Sequence, residues 1–286
     1  MECRVGSSDL LPPGSAGHTL QPEKVALYDL GVMPTTYDFA CYAVIAKTLG
    51  YDSIHFAVTG MAQWKYPPEI GWRRWANICI PLCKLAGLKF SVGPQVEGDV
   101  LAYNTGAVEK VYRSKGRIEK LKSVIPYQRS GYVTITMRES FRNKWRDSNR
   151  EEWAKVSEWL MRNGEEIVVL EECEHQPLAL EERMARYANA KMNLAVGNGP
   201  MVMCWLSEAP YLSFQLPRGP ENDYKALVEQ WNRMKFPVGS QLPFRNKRQE
   251  IVWGPDDSDL IIEKYKALIG DSTNPQAVPN LSNGSD

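Results

Sequence analysis

Thr36, Tyr37 and Asp38 sit inside the stretch "YDLGVMPTTYDF", which overlaps a short apolar segment with strand character, "KVALYDL". A carboxylate just beyond a strand end can take a proton from a hydroxyl, so Asp38 is the first candidate general base, with Asp29 and Glu139 as substitutes. Aspartate is also a preferred helix N-cap, and Asp38 directly precedes the helix-like run that opens at Phe39; the two roles are compatible. Thr36 and Tyr37, with Trp72 and Arg73 from "GWRRWANICIPLC", are candidates to hold an acceptor, since indoles and guanidinium groups grip sugars and phosphates. Ordinary amphipathic spacing accounts for Trp72 and Arg73 equally well.

A second set of residues suits phosphate. In "TMRESFRNKWRDSNR", Arg138 and Glu139 end an alternating strand pattern, and Arg142, Lys144, Arg146 and Arg150 follow. Forked guanidinium donors match a diphosphate, whereas a solvated charged loop is the plain alternative. In "NLAVGNGPMVMCWLSEAP" an apolar strand stops at Gly197, Asn198, Gly199 and Pro200 and resumes as a helix. The glycines let backbone approach a ligand, Pro200 suits a first helical turn, and open N–H groups there favour an anion. A tight turn without a ligand reads the same way. Glu171 and His175, in "EECEHQP", end a further strand and can reach a nucleotide, or belong to an ordinary loop.

Strand-like and helix-like segments alternate on both sides of the basic stretch "RSKGRIEKLKSV". Such alternation implies parallel sheets with helices on their faces. The expected fold class is α/β, with two Rossmann-like parallel-sheet domains facing a central cleft. The two domains are expected to span residues 23–118 and 119–270. Residues 1–22 and 271–286, rich in Gly, Ser, Pro and Asn, are expected to be disordered tails.

Composition removes several classes. Lys+Arg and Asp+Glu are equal at 34 each, which disfavours a globally basic nucleic-acid binder and leaves a local basic groove open. Six scattered cysteines without a Cys-x-x-Cys pair read as buried thiols in a reducing compartment. There is neither an N-terminal apolar leader nor an apolar run of membrane-spanning length, so a cytoplasmic chain without a membrane span is expected. No Gly-x-Ser-x-Gly elbow, His-Glu-x-x-His helix or Walker A loop occurs, and the first half lacks Gly-x-Gly-x-x-Gly. With no Asp-x-Asp at a strand end, no metal site and no cofactor are expected.

The two-domain layout from Lys24 to Leu268 resembles the GT-B class of glycosyltransferases. "TITMRES", "NLAVGNGP" with "APYLSF", and "QLPFRNKRQEIVWGPDD" are similar to segments of bacterial surface-polysaccharide and heptosyltransferase-like enzymes. The resemblance implies a catalytic aspartate at Asp38, and a donor diphosphate held by Arg138, Arg142, Asn198 and Gly199. It implies transfer from a nucleotide sugar, as substrate rather than cofactor, to a hydroxyl acceptor such as a glycan, without a metal. The histidine usual in that family's donor motif is missing from "GNGP". Alternatives are a sugar-nucleotide epimerase of the same fold and a nucleic-acid-modifying transferase or nucleic-acid-binding protein. The donor, the acceptor and the oligomeric state stay open.

Overall fold

The computed structural model describes residues 23–60, 67–139, 146–171, 178–215 and 221–273. Its first half is built on strands β1 (Val25–Asp29), β2 (Ser53–Ala57) and β3 (Lys89–Gly93), parallel and in that spatial order. The second half holds β4 (Val133–Met137), β5 (Ile167–Glu171), β6 (Met192–Val196), β7 (Tyr211–Phe214) and β8 (Gln249–Val252). These are all parallel, in the order β5-β4-β6-β7-β8. The chain leaves β4 for β5 on one side and returns to β6 on the other. In an open parallel sheet such a reversal leaves a crevice beyond the carboxyl ends of the two diverging strands, here β4 and β6.

Helix α1 (Phe39–Thr48) is buried from Phe39 to Ala46. Its Tyr42 hydroxyl donates to Leu27 O (2.6 Å), and Phe39 and Tyr42 pack edge-on against Tyr28 at 4.8 and 4.9 Å. These contacts pin the loop between β1 and α1, which carries Thr36 to Asp38. A proline inside a helix usually breaks it, yet the next helix runs on through Pro81. Helix α2 (Pro68–Arg74) passes through a π-helical segment (Trp75–Cys79) into α3 (Ile80–Leu85). Pro81 lies in the first turn of α3, and the wider π turn just before it accommodates the N–H that proline lacks.

Helix α4 (Thr105–Lys115), whose sequence has no strong apolar period, is set by its ends. The Asn104 side chain accepts from Ala107 N–H (2.9 Å), and Gly116 closes it at φ 70°. Beyond it, Leu121 N–H donates to Leu206 O and Lys122 N–H to Leu85 O, tying the connecting segment to both halves. Helix α5 (Arg150–Arg162) buries Trp153, Val156 and Leu160, the face its spacing predicts. Helices α6 (Leu180–Asn189) and α7 (Met201–Trp205) follow. Helix α8 (Glu221–Arg233) leads into a segment that returns to the first half, where the Tyr112 and Phe244 rings meet at 5.7 Å. Helix α9 (Ser258–Thr273) closes the outer face of the second sheet against α5, with Tyr265 edge-on to Trp159. One apolar cluster therefore spans both halves, and a second fills the space under α5 and α9. Among the described residues no helix is long and apolar enough to cross a membrane.

Candidate functional site

A cavity of about 1020 Å³ lies between the halves, at the carboxyl ends of β4 and β6. Thr36, Tyr37 and Asp38 reach it from the first half, and Arg138, Glu139, Asn198 and Gly199 from the second. Among the described residues, six cationic side chains line it, Arg73, Arg74, Lys84, Arg138, Arg146 and Arg183, and three carboxylates, Asp38, Glu139 and Glu181. Glu181 is engaged by Lys84 across the cleft (3.2 Å), and Glu139 by Arg150 (2.7 Å). Asp38, the third, is exposed and accepts from the Thr36 hydroxyl at 3.0 Å. Asp38 occupies the N-cap position of α1 without a side-chain capping bond, so the capping expected of it is not made.

Arg138 is fixed by its backbone. Its N–H donates to Ser148 Oγ (2.8 Å), and its carbonyl accepts from Ser148 N–H (3.0 Å). The side chain is mostly buried with Asp147 Oδ1 3.7 Å from Nε, beyond hydrogen-bond reach, and Nε has no acceptor. Asn198 is 5% exposed; Oδ1 accepts Met201 N–H (3.0 Å), while Nδ2 is buried without a partner. The indole N–H groups of Trp205 and Trp231, on the same cavity wall, are also buried and lack acceptors. Unsatisfied buried donors are costly, about 1–3 kcal/mol each. All four of these groups are donors.

The turn after β6 differs from its expected design. Both glycines make room for protein side chains instead of a ligand. A Cβ on Gly197 would stand 2.2 Å from Gln215 Oε1, and one on Gly199 2.2 Å from Tyr37 Cδ2. Three amides of the helix start are taken: Met201 N–H by Asn198 Oδ1, Val202 N–H by Gly199 O and Met203 N–H by Pro200 O. Helix α7 is five residues long, too short to add a useful dipole, and Pro200 is buried off the cavity wall. Charge for an anion comes from the arginines, not from this helix start.

Other expected residues lie elsewhere. Asp29 is off the cavity wall; its carboxylate accepts from Gly31 N–H (2.8 Å) and from the Thr59 hydroxyl, knitting the loops after β1 and β2. Trp72 is 37% exposed, edge-on to Trp75 and away from the cavity, whereas Arg73 lines it. Glu171 is exposed and 3.9 Å from Arg150, also off the wall. Arg142 and His175 lie outside the described residues.

Arg183 carried no signal in the sequence. It is 2% exposed on α6, donating to Tyr187 Oη (3.3 Å) and to Glu171 O (3.2 Å). Only the docking of α6 turns it inward. Arg146 donates to Gly197 O (3.0 Å), just beyond the end of β6. Cys41 also lines the cavity, but burial, with Asp38 as the next cause, pushes its thiol far up, so it stays protonated and unreactive. Among the described residues no cluster of three His, Cys, Asp or Glu could hold a metal ion.

No family model and no curated protein matches the chain. Among solved structures it is similar to the bacterial iron-containing dodecameric glycosyltransferase TibC from enterotoxigenic E. coli. That match has 11% identity and TM-score 0.48, over 89% of this chain and 78% of that one. It is also similar to E. coli heptosyltransferase WaaC with ADP, at 10% identity and TM-score 0.45, over 85% and 99% of the two chains. The same enzyme with ADP-2-deoxy-2-fluoro heptose matches at 11% identity and TM-score 0.45, over 87% and 99%.

Proposed function

We propose that this protein is a glycosyltransferase that moves a sugar from a nucleoside-diphosphate donor to a hydroxyl acceptor. The observation that carries the reading is the cavity at the β4/β6 crevice, rich in arginines and N–H donors and faced by Asp38. A diphosphate is an acceptor-only anion, and the arginines and buried N–H donors of this cavity are its chemical complement.

In this reading the donor lies on the second half, with its diphosphate against Arg138 and Arg146. Asp38 takes the proton of the acceptor hydroxyl as the acceptor oxygen bonds to the anomeric carbon. The bond from that carbon to the diphosphate oxygen breaks, and the electron pair leaves on the diphosphate. Charge grows on the leaving group in the transition state, and fixed guanidinium groups stabilise it without reorganisation. Thr36 and Tyr37 border the acceptor side.

The experiment is a panel of nucleotide sugars incubated with the full chain, with and without oligosaccharide acceptors, reading nucleoside diphosphate release. Release that depends on acceptor supports transfer. Conversion of the donor's sugar without acceptor, or no turnover with any donor, speaks against it.

A further inference from the structure

The first sheet is left open on one side. Its β1 edge is closed, because Leu27 N–H donates to Asp99 O (2.8 Å) and Ala26 bridges Asp99. Strand β3, at the other edge, is exposed from Lys89 to Val92. Lys89 N–H donates to Asp52 O, and Gly93 O accepts from Val58 N–H. In a parallel ladder this parity turns the backbone groups of Lys89, Ser91 and Gly93 toward β2 and those of Phe90 and Val92 outward. Among the described residues nothing bonds those outward groups.

Two apolar side chains, Phe90 and Val92, alternate at this edge with the exposed Lys89 and Ser91. Phe90 is 39% and Val92 49% exposed. A chain of ring contacts runs from Phe90 through Phe56 (6.4 Å) and Trp75 (5.7 Å) to Trp72 (5.7 Å), itself 37% exposed. Folded proteins cover or blunt such an edge, because unpaired N–H and C=O groups beside apolar side chains are a template for another strand.

We infer that β3 pairs antiparallel with β3 of a second copy of this chain, joining two three-stranded sheets about a twofold axis through Ser91. The free groups select this register. Pairing Phe90 with its own counterpart would set Val92 against Leu88, whose N–H is already given to Cys83 O. Pairing Val92 with itself would set Phe90 against Pro94, which has no N–H. Pairing Phe90 with the partner's Val92, twice by symmetry, satisfies every outward group of both residues. It also sets aromatic against β-branched side chains and puts Lys89 opposite glycine, avoiding a like-charge clash. The contact is isologous and closes at two subunits.

The test is the solution mass of the full-length wild-type chain through a dilution series, by light scattering and sedimentation, beside two variants. Val92→Pro removes an outward N–H that the monomer does not use, so the monomer keeps its ladder and the dimer is lost. Ser91→Cys puts two thiols on the axis, in a non-hydrogen-bonded pair whose Cα separation is compatible with a disulfide. Under mild oxidation it forms a covalent dimer, while Lys89→Cys and wild type do not. A far-ultraviolet melt confirms that each variant folds. A wild-type monomer at all concentrations overturns the proposal. So does a Val92→Pro protein of unchanged mass, or cross-linking by Lys89→Cys but not by Ser91→Cys.

Discussion

Tyr37 of the first half packs on Gly199 of the second so closely that a Cβ on Gly199 would stand 2.2 Å from the ring carbon Cδ2. Gly199 does not have a left-handed backbone, so this contact, not chain conformation, is what requires glycine. Overpacking a filled site costs about 1–3 kcal/mol, and Gly199→Ala is expected to lose that much stability. Tyr37→Ala empties the space, so the double variant is less destabilised than the sum of the two single ones. Denaturant unfolding of the four proteins measures the coupling, and strictly additive energies contradict the contact.

Asp38→Asn keeps the shape of the acid and removes its basicity. Turnover is expected to fall by about 10²- to 10⁴-fold, the usual share of a general base, with nucleotide affinity unchanged. Equal losses in turnover and in nucleotide affinity would place Asp38 in binding instead.

Arg138→Gln removes a cation at the end of β4 while sparing its backbone clamp to Ser148. Affinity for a nucleoside diphosphate is expected to drop about 10- to 100-fold, the range for a charge-assisted contact. Titration calorimetry reads this directly; a variant that binds like wild type removes Arg138 from the donor site.

Glu152 joins α5 to α9. Hydrogen bonds from Ser258, then Lys155, pull its carboxyl down from 4.5 to about 2. A carboxyl depressed in the folded state stabilises above its unfolded pKa and loses that contribution as pH falls toward the folded value. The wild-type melting temperature is expected to decline between about pH 4.5 and 2 more steeply than that of Glu152→Gln. Parallel melting curves across that window would refute the assignment.

Much of the fold is legible in residue order, because strands such as "YVTITM" and helices such as "REEWAKVSEW" carry clear periods of burial. Helix α4 and strand β8 are not. The first depends on the caps Asn104 and Gly116, and the second is a four-residue edge inside "NKRQEIVWG". The site is partly legible. Arg138 and Asn198 stand at strand ends, and strand direction alone brings them to the crevice; Asp38 reaches it from the start of α1. Arg183 and the two indoles reach the wall only through tertiary docking of α6, α7 and α8, which no local pattern encodes. Glycines at 197 and 199 signal close approach, but the residue type does not say whether ligand or side chain fills the space. Asp256, in a turn-like setting, proves to be a tie: its carboxylate accepts from Asn149 N–H (2.7 Å) and Trp153 Nε1–H (2.9 Å).

The central claim is that the cavity between the halves holds a nucleoside diphosphate. The most direct measurement is a thermal-shift titration of the full chain with UDP, GDP, ADP, TDP and CMP and their sugar conjugates. A ligand at about 100 times its dissociation constant adds about 2.7 kcal/mol to the native state. The account predicts a saturable rise in melting temperature with at least one diphosphate, moved to about 10- to 100-fold higher ligand concentration in Arg138→Gln. A flat response to every nucleotide, in a protein that melts cooperatively, would contradict it.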